Sequence, residues 1–149
     1  MQSSHTLDRL SVAFSDTHAV AHAGLLLPAT LAEKLGLRAL IDQHVRLGSA
    51  PGAANAGVKA MTLIHSALAG GDCIDDAALL RSASTAAVLA HEVRAPSTLG
   101  TYLRSLTFGH ARQLDAVSRQ LLARAWGVGA GPGSAPLTID IDSTICGVS

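Results

Sequence analysis

The sequence predicts a mainly α chain: a multi-helix region over residues 1–126 with a short strand near its start, a Gly/Pro linker at 127–136, and one β-strand beginning a second unit at 137–149. Three observations lead there. The 149 residues hold one Trp, one Tyr and two Phe, so the apolar half of the chain is mostly Ala, Leu and Val, which suits packed helices better than a sandwich or barrel. Apolar residues recur at three- and four-residue spacing between Gly and Pro punctuation. After Trp126 the pattern breaks abruptly into GVGAGPGSAP and then LTIDID.

In chain order, Leu10 to Phe14 alternates apolar and small polar residues, as a short strand does. Pro28 suits the first turn of a helix carrying Leu31 and Leu35 and ended by Gly36. Leu37, Leu40, Ile41, His44 and Val45 share one face of a second helix, and residues 48–57 read as a Gly/Ala/Pro/Ser loop. Residues 58–69 are apolar almost all round, which marks a buried helix ended by Gly70-Gly71. Asp72 or Asp75 can cap the next helical stretch, where Leu79, Leu80, Val88 and Leu89 follow. Pro96 opens a helix with Leu99, Leu103 and Leu106, and a longer one runs from about Gly109 to Trp126 with Leu114, Val117, Leu121 and Leu122. The strand at Leu137–Asp142 cannot bury itself, so the sequence predicts either a fragment or a borrowed partner, with 10–14 as the candidate.

Formal net charge is zero, so no global basic field advertises nucleic acid. Between His91 and Trp126, however, Arg94, Arg104, Arg112, Arg119 and Arg124 face only Glu92 and Asp115. Cys73 and Cys146 form neither a CxxC pair nor a zinc spacing, as expected of a reduced chain. The longest apolar runs are too short to span a membrane, and the first ten residues lack the basic and apolar regions of a secretory signal. A cytoplasmic, bacterial protein is the expectation.

Asp140 and Asp142 sit two apart on a strand of strong β-formers, so both carboxylates share one face. A carboxylate fixed at a strand end can hold Mg²⁺ while the ion keeps waters and substrate oxygens. Two such ions can clamp the attacking and leaving oxygens of a phosphodiester. The same pair is also what a solvated strand edge or turn presents.

Four stretches, taken in order, resemble the front end of bacterial insertion-sequence transposases with a DDE, ribonuclease-H-like catalytic domain. They are AGLLLPATLAEKLGLRALIDQHV at 23–45, KAMTLIHSALAGGDCIDDAALLR at 59–81, APSTLGTYLRSLTFGHARQLDAVSRQLLARAW at 95–126 and LTIDIDSTICG at 137–147. The resemblance implies metal-dependent DNA cleavage and strand transfer. It makes 137–149 the first strand of a truncated ribonuclease-H-like α/β domain. Asp142 would be the catalytic first metal ligand, with Asp140 as the alternative or a supporting carboxylate, and Ser143 and Thr144 structural. The implied cofactor is Mg²⁺ or Mn²⁺ in the full-length family, held stably by no part of this fragment. The family's second Asp and its Glu lie downstream, so the chain as given is expected to have no nuclease activity alone. The implied partners are double-stranded DNA at the element ends and a second copy of the chain, and the implied place is the nucleoid.

Within this picture 95–126 reads as a helix-turn-helix whose second helix enters the major groove. Its candidate phosphate or base contacts are Thr98, Tyr102, Arg104, His110, Arg112 and Arg119. An Arg-rich amphipathic helix pair with a solvated face has the same outline, which leaves a non-catalytic helical DNA-binding or interaction module as one alternative. Another is the Asp-x-Asp-x-Thr motif of haloacid-dehalogenase-like phosphatases, with Asp140 as nucleophile and Asp142 as general acid. There the motif opens the domain, whereas here a long helical region precedes it. His18 and His22 lack a third ligand, His65 reads as a core or boundary residue, and Asp72, Asp75 and Asp76 read as helix-capping acids.

Overall fold

In the computed structural model, the described residues are 4–7, 10–13, 15–16 and 19–140. Strands β1 (Ser4–Leu7) and β2 (Leu10–Ala13) pair antiparallel, Ser4 opposite Ala13 and Leu7 opposite Leu10. Strand β2 thus takes its partner from the residues just before it, not from the described part of the later segment, 137–140. The regular elements described after this hairpin are all helical.

Helix α1 (Leu26–Leu35) follows a 3-10 turn at Ala23–Leu25, and together they bury Leu25, Ala29, Ala32 and Leu35. Gly36 stops the helix at φ +67°, a conformation that costs glycine little, and its N–H bonds back to the Ala32 and Glu33 carbonyls. Helix α2 (Leu37–His44) then buries Leu40 and Ile41, and Val45 and Leu47 continue its apolar line.

Helix α3 (Ala56–Leu68) is the centre of the molecule, buried along most of its first three turns. Its start has no cap of its own, because Asn55 is left-handed and makes no side-chain cap bond. Asp42 of α2 supplies the acceptor instead, taking the Gly57 N–H at 2.7 Å. A Cβ at Gly57 would fall 2.7 Å from the Asp42 carboxyl, so the close approach depends on glycine. Lys59, buried, donates its ammonium to the Gly52 and Ala54 carbonyls at 2.7 and 2.6 Å and so closes the preceding loop on the helix.

A second 3-10 segment (Ile74–Arg81) and the short α4 (Ala83–Val88) lead to an extended stretch that buries Leu89, His91 and Val93. Helix α5 (Pro96–Ser105) has proline at its first position, where no N–H is missed. Helix α6 (Phe108–Ala125) begins after two intervening residues and ends in a widened turn over Trp126–Ala130, where Gly129 takes φ +97°.

Two apolar clusters hold these elements. Leu40, Ile41, Val45, Leu47, Ala56, Ala60, Tyr102 and Val117 join α2, α3, α5 and α6. Leu25, Ala29, Leu80, Leu89 and Val93 join α1 to the 74–93 region. The strand expected at Leu137–Asp142 is not formed over its described part. Leu137–Asp140 pairs with no other described strand, and Leu137 and Ile139 are 57% and 74% exposed. A segment with strand propensity but no neighbour has nowhere to send its backbone hydrogen bonds and nothing to bury. Ile141 and Asp142 lie outside the described residues.

Candidate nucleic-acid interface

The break between α5 and α6 falls at Leu106-Thr107, one residue ahead of the Thr107-Phe108-Gly109 break that the sequence suggests. The pair is nevertheless not a closed helix-turn-helix. Helix α5 packs mainly on α3 and the 74–81 segment, and α6 packs mainly on α2. Between them opens an apolar groove of about 330 Å³ lined by Leu37, Ile64, Leu103, Leu106, Leu114 and Leu121, among others.

The six candidate DNA contacts fall into two groups. Tyr102 is 2% exposed in the first core cluster, and burial holds its phenol above its usual pKa, with the Asp42 charge adding to the effect. It cannot reach a phosphate without unpacking that core. His110 is committed to α6 itself. Its Nδ1 accepts the Thr107 N–H at 2.9 Å, and its Nε2 then carries the proton that it donates to the Arg46 carbonyl at 3.1 Å. That reciprocal cap explains the residue without a ligand. Thr98 is partly exposed on the first turn of α5.

Arg104, Arg112 and Arg119 are exposed. Arg112 and Arg119 lie two turns apart on the outward face of α6, with Asp115 on the same face between them. Arg124 is differently placed, because its guanidinium donates to the Leu35 carbonyl at 2.7 Å and ties the end of α6 to the end of α1. The outward face also carries Phe108, 80% exposed, Leu122 at 52% and Trp126 at 45%.

The Mg²⁺ that the resemblance implies does not fit the described residues. Asp140 is one exposed carboxylate on an unpaired segment, and Asp142, the expected catalytic and metal-ligating residue, lies outside the described part. Elsewhere Asp72, Cys73 and Asp76 bring ligand atoms within 4.8 Å of one another. Their geometry is that of a cap. One Asp76 oxygen accepts the Cys73 and Asp72 N–H groups, both at 3.0 Å, and the Cys73 thiol at 3.1 Å. The Cys73 backbone bond, first among these, holds the Asp76 carboxyl below its usual range. The capping acid is therefore Asp76 reaching back, not Asp72 or Asp75.

The sequence did not show the buried polar cluster on α3. His65 Nδ1 lies 2.8 Å from His91 Nε2, with the rings stacked at 6° and 5.0 Å between centroids. Thr62, fully buried, accepts the Arg94 N–H at 3.3 Å. Only the apolar surroundings of His65 hinted at this, since His91 and Arg94 arrive from a distant segment. Comparison with protein-family models, curated proteins and solved structures finds no match to this chain. Among the described residues no helix is long and apolar enough to cross a membrane.

Proposed function

We propose that this chain is the DNA-binding front part of a DDE-type transposase, meeting double-stranded DNA through backbone phosphates with Arg104 of α5 and Arg112 of α6. The observation that carries the reading is the exposed arginine on α5 and α6, where Asp115 is the one acid, in a chain of zero formal net charge. The four stretches that resemble insertion-sequence transposases support it. So does the placement of the carboxylate-bearing segment, with Asp140 and then Asp142, after an exposed linker. In this reading Asp142, or Asp140, is the first ligand of a catalytic centre whose other carboxylates come from elsewhere. The open packing of α5 against α6 favours phosphate contact over insertion of a recognition helix. Arg119 is left out of the contact set, because Asp115 stands four residues earlier on the same face and would repel a phosphate there.

Titrating a fluorescent duplex at several salt concentrations tests this. Binding should weaken steeply with salt. The Arg104→Ala/Arg112→Ala double variant should flatten the log–log slope by about 2, since each phosphate that an arginine neutralises adds about 0.9 to it. No binding to any duplex at low salt, or a slope the variant leaves unchanged, would sink the reading.

A further inference from the structure

The outward face of α6 has a pattern that DNA contact does not explain. Phe108, Arg112, Asp115, Arg119, Leu122 and Trp126 follow one another at spacings of 4, 3, 4, 3 and 4, which is the seam of a coiled coil. Trp126 keeps helical dihedrals (φ −66°, ψ −38°), so the seam runs unbroken for about 27 Å. All six side chains are exposed, Phe108 at 80%, although α6 is anchored on its inner side by Val117, the Arg124–Leu35 bond and the His110–Arg46 bond. The Trp126 ring is held in place from behind, for a Cβ on Gly131 would fall 2.9 Å from its Cγ.

The seam is also symmetric about Val117. Phe108 and Trp126 are equidistant from it, as are Arg112 and Leu122, and Asp115 and Arg119. We propose that two copies of this chain pair antiparallel along this face, with a two-fold axis crossing the seam at the level of Val117, on the side of α6 away from it. In that arrangement seam positions of alternating type meet across the axis, as they do in antiparallel coiled coils. Phe108 meets Trp126 of the second copy at each end. Asp115 meets Arg119 of the second copy twice at the centre. Arg112 lays its methylenes over Leu122 of the second copy and carries its guanidinium to the rim.

Charge complementarity is what selects a second copy as the occupant. Among the described residues neither Asp115 nor Arg119 lies in an ion pair within its own chain, whereas Arg38–Asp42 and Glu92–Arg94 do. A parallel pair would set Asp115 against Asp115 and Arg119 against Arg119. The antiparallel pair turns both repulsions into attractions, and a two-fold interface needs just this self-complementarity. Charged seam positions weaken the association and fix its register and direction. Arg104 and the Arg112 guanidinium stay outside the seam.

Sedimentation equilibrium without DNA tests the pairing, so its outcome is independent of the DNA reading. Trp126 is the one tryptophan in the chain, and its emission should shift to the blue as protein concentration rises. Asp115→Arg alone and Arg119→Asp alone should each weaken self-association at least about tenfold, since each puts like charges face to face. An equimolar mixture of the two variants should associate again, because every central pair is then Arg against Asp. That rescue also shows both variants are folded. A wild-type chain that stays monomeric at every concentration reached would overturn the proposal. So would self-association that the single reversals leave unchanged, or singles that fail to recover on mixing.

Discussion

His65 and His91 show how one hydrogen bond fixes a chain of others. His91 Nδ1 lies 3.1 Å from the Glu92 carbonyl, an acceptor only, so that nitrogen carries the proton. His91 Nε2 is then a bare lone pair and accepts from His65 Nδ1–H at 2.8 Å. Burial keeps both rings neutral, and His65 Nε2 is left buried without a partner. Burial first, and then the neighbouring His91, pull the His65 pKa from 6.5 down to about 4. Burial lowers His91 as well, Arg38 adding to the shift while the Glu92 carbonyl and Glu33 oppose it. Lys59 on α3 and the Glu92–Arg94 ion pair are the other charged groups of this region. An unfolded imidazole takes up a proton near pH 6.5 that the folded one refuses until about 4. Stability is therefore complete above 6.5 and falls as the pH drops through that window, by about 3 kcal/mol at most for His65. Urea midpoints at pH 7 and 4.5 measure this: wild type should lose more between them than His65→Phe. Equal wild-type midpoints would refute the account. Spacing marks His65 as a core or boundary residue but not its partner, which arrives 26 residues later. Tyr102, which the sequence offers as a DNA contact, stands three residues after Leu99 on the same helix face, and that apolar spacing is the signal for its burial.

At the scale of elements, ends set by local chemistry were readable and ends set by distant groups were not. Gly36 and Pro96 act through their own backbones, and the boundaries of α1 and α5 follow from them. Helix α3 is different. The Gly57 N–H in its first turn looks outward to Asp42, fifteen residues earlier and on another helix. No short window of sequence around Asn55 contains that acceptor. The same holds for α5 and α6: their break was legible, but which helix each leans on depends on the whole core. Asp42 accordingly acts as the N-cap of an element it does not belong to. Removing it in Asp42→Ala should cost about 1 kcal/mol, the usual effect of losing a cap, and Asp42→Asn, which keeps an acceptor, should cost less. Chemical denaturation of the three proteins decides it. An alanine variant as stable as wild type would mean the 2.7 Å contact adds nothing net.

For the molecule as a whole, the division after α6 matters most. Both apolar clusters draw only on residues between Leu25 and Val117, with Leu121 the last side chain packed against them. Past Gly131, which backs the Trp126 ring, the described chain buries no large apolar side chain, and Leu137 and Ile139 stand in solvent. The β-propensity of Leu137–Asp140 is plain in the sequence, yet propensity describes a segment and a strand is a relation between segments. The sequence could announce a change of character at the linker, but not that residues 137–140 would find no edge to pair with. If stability resides before the linker, a chain ending at Pro136 should match the full chain in urea midpoint, with any difference within about 0.5 kcal/mol, as for surface changes away from the core. It should also keep its duplex affinity and its self-association, because Arg104, Arg112 and the α6 seam are all retained. A truncated chain that unfolds markedly earlier would show that the last residues do pack on the helical region, and the division drawn at the linker would fall with it.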